Sequence, residues 1–97
     1  MKVRYTATAQ RELDRAIQYL LEHAPAIAAA FADSIERAIA GLLEHPYSAQ
    51  ETSQRGVRRK YIRRFRYAVF HIVNEKADEL VIITIRHTAR RPWRNED

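Results

Sequence analysis

The chain has 97 residues, which indicates one domain over residues 1–97 and not two, since domains typically contain about 100–150 residues. It contains no cysteine, so disulfide frameworks, thiolate metal sites and cysteine nucleophiles are all excluded. No apolar run approaches the roughly 20 residues of a membrane helix, and we expect a cytoplasmic protein with no membrane partner.

Positive charge is concentrated in the second half of the chain. The 17 lysines and arginines outnumber the 12 aspartates and glutamates, for a net charge of +5. Residues 1–54 contain five basic and seven acidic residues, whereas residues 55–97 contain twelve basic and five acidic residues. The densest stretch, Arg55–Arg66, has seven basic residues in twelve positions. Such a field favours encounter with an anionic partner, either a nucleic acid or an acidic protein segment.

The first predicted elements are a short strand and a helix. Lys2–Thr6 alternates polar and apolar residues, with Val3 and Tyr5 on one strand face. Thr8 then fits the N-cap position of a helix, because its hydroxyl can accept a hydrogen bond from a backbone N–H. The apolar residues that follow recur at helical spacing and predict one buried face: Ala9, Leu13, Ala16, Ile17, Leu20 and Leu21.

A second predicted helix follows closely. Pro25 suits the first turn of a helix, and Pro46 cannot continue one. Between them, the residues predicted to form the buried face are Ile27, Phe31, Ile35, Ala38, Ile39, Leu42 and Leu43. Because only two or three residues separate the two helices, they must form an antiparallel hairpin.

The rest of the chain predicts a loop followed by three strands. Residues 46–56 are polar and aperiodic, as in a surface loop. Strands are predicted over residues 57–62, 66–73 and 80–85, and the last of these is apolar on both faces, which favours a central position. Short turns join these strands into an antiparallel meander. The predicted fold is therefore α+β in the order β-α-α-β-β-β, with a helical hairpin packed on one face of an antiparallel sheet.

Three segments of this pattern carry a resemblance to a known family. They are Gly56–Arg59, Phe65–Val73 and Ile83–Pro92. Together with the two N-terminal helices, they resemble the RelE/ParE superfamily of bacterial type II toxins over nearly the whole chain. The last segment is most similar to the ParE branch, in which an isoleucine-rich strand ends on a histidine, followed by arginine, proline and tryptophan.

The resemblance implies a toxin that a cognate antitoxin, encoded beside it, holds inactive, and it implies DNA gyrase as the target. We expect the antitoxin to contribute an acidic amphipathic segment that orders on binding. Similarity to the RelE branch gives the alternative of a ribosome-dependent mRNA endoribonuclease. Two further alternatives are a non-toxic nucleic-acid-binding module and a toxin relative that keeps only its antitoxin partner. The shared fold does not decide among these functions.

The residues predicted to bind the target are basic or aromatic and lie in the second half of the chain: Arg58, Arg59, Lys60, Arg86, His87, Arg90, Arg91 and Trp93. In the nuclease alternative, Lys60, Arg66 and Arg86 would bind phosphate and His87 would transfer a proton. No tyrosine follows Tyr67 and no acidic residue lies between Gln54 and Asn74. RelE-like enzymes often use a tyrosine near the C-terminus, so these departures weaken the nuclease alternative. The resemblance to the ParE branch therefore implies a gyrase inhibitor that breaks no bond itself.

Several of these residues also have a purely structural interpretation. His87 can hydrogen-bond at a sheet edge, and His71, which alternates with apolar strand positions, is expected to be structural. The basic stretch can protect a sheet edge from aggregation, and Trp93 can cover the helices or anchor an interface. The four histidines have no metal-ligand spacing, so we expect no metal and no cofactor.

Overall fold

The computed structural model describes residues 1–89. Its elements confirm the predicted order, with one additional short strand. They are β1 (Lys2–Tyr5), α1 (Ala7–His23), α2 (Pro25–Glu44), β2 (Gln50–Glu51), β3 (Arg58–Ile62), a 3-10 helix at Arg63–Phe65, β4 (Tyr67–Asn74) and β5 (Glu79–His87). No helix in this part of the chain is both long and apolar enough to cross a membrane.

The strands form one five-stranded sheet in the order β1-β5-β4-β3-β2. The predicted antiparallel meander is present as β3, β4 and β5, and β2 pairs antiparallel with β3. β1 instead pairs parallel with β5, so the sheet is mixed. A parallel pair needs a long connection, and here the helical hairpin and the meander together supply it. The pattern of neighbouring strands in the sequence therefore could not reveal this pairing.

The start of α1 is fixed by the end of β1. The Thr6 backbone N–H donates to the Ile82 carbonyl (3.0 Å), and the Thr6 hydroxyl donates to the Ile83 carbonyl (2.7 Å). The same hydroxyl oxygen accepts a hydrogen bond from the Ala9 N–H (3.1 Å), which makes Thr6 the N-cap. The predicted cap at Thr8 is therefore wrong, because these contacts with β5 set the helix start at Thr6 and Thr8 lies in the first turn.

The two helices cover one face of the sheet. The shared core contains Ala9, Phe31, Ile35, Ile39, Leu42, Ala49, Ile62, Val69, Leu80, Ile82 and Ile85. Two predicted core positions are wrong, because Leu21 and Ile27 are 51% and 46% exposed. They lie on either side of Ala24, the single residue between the helices. Helical periodicity predicted the buried face, but not that these positions beside the turn fall outside the core.

Side chains of the meander alternate between the two faces of the sheet. Val69 belongs to the core under the helices, whereas Val57, Ala68 and Phe70 form a small cluster on the opposite face. β5 lies between β1 and β4 and is largely buried, which confirms the predicted central strand. The helix-covered face and the opposite face therefore differ in what they can present to a partner.

Candidate functional site

Arg58, predicted to bind the target, makes its contacts within the protein instead. Its Nη1 donates to the Tyr47 carbonyl (3.1 Å) and to the Ala49 carbonyl (2.8 Å). Its Nη2 lies 3.9 Å from Glu51 Oε1, and its guanidinium lies 5.3 Å from the centre of the Tyr47 ring. The side chain is only 24% exposed. Arg58 thus holds the loop after α2 against the sheet.

Arg59 and Lys60 are exposed but lie on opposite sides of the sheet. Arg59 is paired with Phe70, and Lys60 is paired with Val69. Because paired residues share a face, Lys60 lies on the helix side and Arg59 on the other. The basic strand therefore divides its exposed charge between two surfaces.

The ends of β4 and β5 bring His87 close to Arg66. The Thr88 N–H donates to the Arg66 carbonyl (2.7 Å), and the His87 ring meets the Tyr67 ring edge to face with 5.2 Å between centroids. The Ala89 N–H donates to His87 Nδ1 (3.1 Å), which assigns the proton of the neutral ring to Nε2. His87 therefore makes a local hydrogen bond at the end of β5, and its Nε2 still offers a donor.

Arg86 contacts α1 through Glu12. Its Nε lies 3.9 Å from Glu12 Oε2, and its buried Nε and Nη1 have no hydrogen-bond partner among residues 1–89. Glu12 Oε1 accepts hydrogen bonds from the Thr84 hydroxyl (2.6 Å) and the Ile85 N–H (3.0 Å). Glu12 thereby accepts hydrogen bonds from the part of β5 that extends beyond its pairing with β1. Sequence analysis missed this role, because a glutamate on a helix surface has no local signal for a contact with a distant strand.

A pocket of about 740 Å³ lies between α1, α2, the 3-10 helix and the ends of β4 and β5. Its floor is aromatic: the Phe31 ring contacts Phe65 (5.4 Å between centroids, 87° between planes) and Tyr67 (4.9 Å, 62°). Polar side chains from different elements line it as well, and they are Glu12, Arg15, Tyr19 and His87. The arrangement suits a ligand with an apolar body and polar groups at its edge.

The structure brings together only part of the predicted target-binding set. His87 joins the pocket, together with Arg15 and Tyr19, which sequence analysis did not select. Three predicted residues, Arg90, Arg91 and Trp93, lie outside the described residues. Within residues 1–89, no group of three or more histidines or acidic residues is arranged to hold a metal ion.

Comparison with known proteins gives a family and several related structures. Residues 3–92 match the family model described as the ParE toxin of type II toxin-antitoxin system, parDE. The chain is similar to the chromosomal ParDE TA system from P. aeruginosa, with 19% identity and a TM-score of 0.74 over 90% of this chain and 95% of that chain.

Two RelE-type structures are also similar. For the isolated E. coli RelE toxin, identity is 11% and the TM-score is 0.67, over 92% of this chain and 85% of that chain. For the toxin-antitoxin complex RelBE2 from Mycobacterium tuberculosis, identity is 26% and the TM-score is 0.58, over 89% of this chain and 95% of that chain. Comparison with curated protein sequences gave no match. The ParE and RelE branches thus share this fold.

Proposed function

This chain belongs to the ParE toxin family of type II toxin–antitoxin systems, and we propose that it inhibits DNA gyrase until a cognate antitoxin binds it. The observation that carries the proposal is the match to this family over residues 3–92, nearly the whole chain. The inhibitor acts by docking and breaks no bond itself.

The exposed basic residues support a docking function. Five basic residues within eight positions of the chain are all exposed: Arg59, Lys60, Arg63, Arg64 and Arg66. Their charge raises the rate of encounter with an anionic partner and weakens as salt increases. Gyrase working on DNA and an acidic antitoxin segment are both partners of this kind.

Related structures support an antitoxin as the partner. The P. aeruginosa structure is of a ParDE toxin–antitoxin system, and the M. tuberculosis structure is a RelBE2 toxin–antitoxin complex. We propose the same type of partner for this chain. Its acidic amphipathic segment would complement the basic second half of the chain and become ordered on binding.

A RelE-like, ribosome-dependent mRNA endoribonuclease is the second candidate. It is favoured by the placement of Lys60 and His87, since their β4 partners, Val69 and Tyr67, both pack on the helix side. Against it, Arg86 does not form a phosphate site together with Lys60 and His87, because its guanidinium faces Glu12. The docking inhibitor therefore remains our first proposal.

The two candidates are separated by assaying both activities with the same purified protein. We expect inhibition of gyrase supercoiling and accumulation of gyrase–DNA cleavage complexes, without cleavage of translated mRNA. The double variant Arg59→Glu/Lys60→Glu should weaken inhibition about tenfold or more, because charge reversal opposes encounter and docking. The matched control Lys2→Glu/Lys76→Glu has the same charge change at exposed positions elsewhere and should stay within about twofold.

Cleavage of translated mRNA by the wild type, with gyrase unaffected at all concentrations, would replace the first proposal by the second.

A further inference from the structure

We propose that two copies of this chain associate through the free end of the helical hairpin, which comprises residues 21–29. The interface joins the same patch on both copies, and this patch contains none of the residues that line the pocket. The inference goes beyond the proposed function, because neither docking on gyrase nor binding of an antitoxin requires two copies to touch.

The hairpin end exposes two large apolar side chains. Leu21 is 51% exposed and Ile27 is 46% exposed, although both continue the apolar spacing of α1 and α2. Because Ala24 alone separates the helices, each of these residues lies three positions from the turn, within about 4.5 Å along its helix axis. The core under the helices does not reach them, and an apolar surface left exposed in this way is typical of a protein interface.

Small residues beside these side chains allow a second helix to approach closely. Pro25, Ala26 and Ala29 are exposed at the start of α2. Helices pack with their axes about 8–10 Å apart, and small contact residues give the short end of this range. The start of α2 can therefore pack against the same segment of a second copy, with Leu21 and Ile27 at the contact.

The absence of charge favours a second copy as the partner. Residues 23–32 contain no lysine, arginine, aspartate or glutamate. An acidic segment or a nucleic acid would find no cation to pair with here, whereas two identical apolar patches complement each other across a two-fold axis. The chain has a net charge of +5, and exposed cations on β3 and the 3-10 helix oppose contact between copies there. At the hairpin end, two copies can meet without opposing like charges.

The acidic residues on either side of this uncharged segment already have partners. Glu22 accepts a hydrogen bond from the Gln18 side chain on α1 (3.2 Å), and Asp33 forms an ion pair with Arg37 on α2. Both contacts join residues four positions apart on one helix, which keeps these carboxylates on the helix surface. The pairing of Asp33 with Arg37 also reduces the repulsion that two copies of this carboxylate would exert on each other.

The size of the patch predicts a weak and reversible dimer. A stable protein interface typically contains about 20–30 residues on each side, and residues 21–29 supply fewer than half of that number. We therefore expect the dimer fraction to rise with protein concentration. Raising the NaCl concentration should strengthen the association, because salt screens the repulsion between two chains of like net charge. A dimer held by ion pairs would weaken instead.

The test measures the dimerisation constant of the full-length chain by sedimentation equilibrium, without antitoxin or gyrase. Ala29→Glu places a carboxylate in the contact of both copies and should weaken dimerisation about tenfold or more. Ala40→Glu is the matched control, because it makes the same change at an exposed residue on the same face of α2, about three turns further along. It should stay within about twofold. Both variants change the net charge equally, so general repulsion between chains cannot explain a difference between them.

A second variant tests the apolar contact without adding charge. Leu21→Ser/Ile27→Ser removes exposed apolar surface and should also weaken dimerisation about tenfold or more. Circular dichroism verifies that the variant is folded, as we expect for changes at two exposed positions. If it is not folded, the comparison of Ala29→Glu with Ala40→Glu decides the outcome alone.

The outcomes separate this inference from the proposed function. A wild type that stays monomeric at every protein and salt concentration, or a dimer that all the variants retain, overturns the inference. Either result leaves the proposed function standing if the wild type inhibits gyrase. If the wild type is monomeric and Ala29→Glu, but not Ala40→Glu, weakens gyrase inhibition or antitoxin binding, the hairpin end binds that partner and the inference is wrong.

Discussion

His71 is a polar residue in the fully buried part of the core. It is 0% exposed, and its β3 and β5 partners in the sheet are Arg58 and Ile82. Its Nδ1 lies 3.1 Å from the Val69 carbonyl, to which only a protonated Nδ1 can donate, while Nε2 has no hydrogen-bond partner in the described part of the chain. Burial lowers the pKa of His71; the hydrogen bond to the Val69 carbonyl offsets part of this decrease, and the nearby Arg58 charge adds to it. The histidine is therefore neutral and structural, as its alternation with apolar strand positions predicts.

This environment predicts a loss of stability in mild acid. The unfolded chain takes up a proton on His71 near pH 6.5, whereas the folded chain does so only at lower pH, so the unfolded state binds more protons between these values. The free energy of unfolding should thus decrease as pH falls below 6.5. Urea denaturation at pH 7.5 and pH 5.5 measures it.

The control for this prediction uses two histidine variants. His71→Leu should reduce the difference in free energy of unfolding between the two pH values, whereas His45→Gln, at an exposed residue after α2, should retain it. An unchanged pH dependence in His71→Leu would assign the effect to other groups.

At the scale of elements, periodicity predicted the helices and strands whose formation depends on residues close together in the sequence. Both helices and the three meander strands follow from apolar spacing, because a 3.6-residue or 2-residue repeat directly reflects burial on one face. The two-residue strand Gln50–Glu51 is too short to show such a repeat. Its position depends instead on pairing with β3 and on the hydrogen bond from Arg58 to Ala49. Arg58 lies seven residues after Glu51, the end of the short strand.

The loop before β3 gives a prediction that separates two adjacent arginines. Arg58→Ala should lower the free energy of unfolding by about 1–3 kcal/mol, because it leaves the carbonyls of Tyr47 and Ala49 without this donor. Arg59→Ala should change it by less than about 0.5 kcal/mol, since Arg59 is exposed. Urea denaturation followed by circular dichroism measures both, and equal midpoints for the two variants would contradict the structural role given to Arg58.

At the scale of the whole molecule, the sequence predicted the family but not the pocket. The resemblance depended on strand motifs that are local, and the match over residues 3–92 confirms it. The pocket instead joins α1 with Phe31, with the neighbouring residues Phe65 and Tyr67, and with His87. These parts of the chain lie far apart in the sequence. Arg15 has the spacing of an ordinary helix surface, so its place in the lining of the pocket follows only from how α1 packs on the sheet.

The same geometry gives a whole-molecule prediction for His87→Gln. In a docking inhibitor, this change removes the contact with the Tyr67 ring and alters the acceptor for the Ala89 N–H, which should weaken gyrase inhibition by about 1 kcal/mol, or about fivefold. In a nuclease, loss of the proton-transfer group should lower mRNA cleavage by about 10²–10⁴. Dose–response curves for supercoiling and rates of translated-mRNA cleavage, measured on the same preparations, distinguish these magnitudes. Because a fivefold loss reflects a docking contact and a hundredfold loss reflects chemistry, a large cleavage defect with unaltered gyrase behaviour would assign the protein to the RelE-like activity.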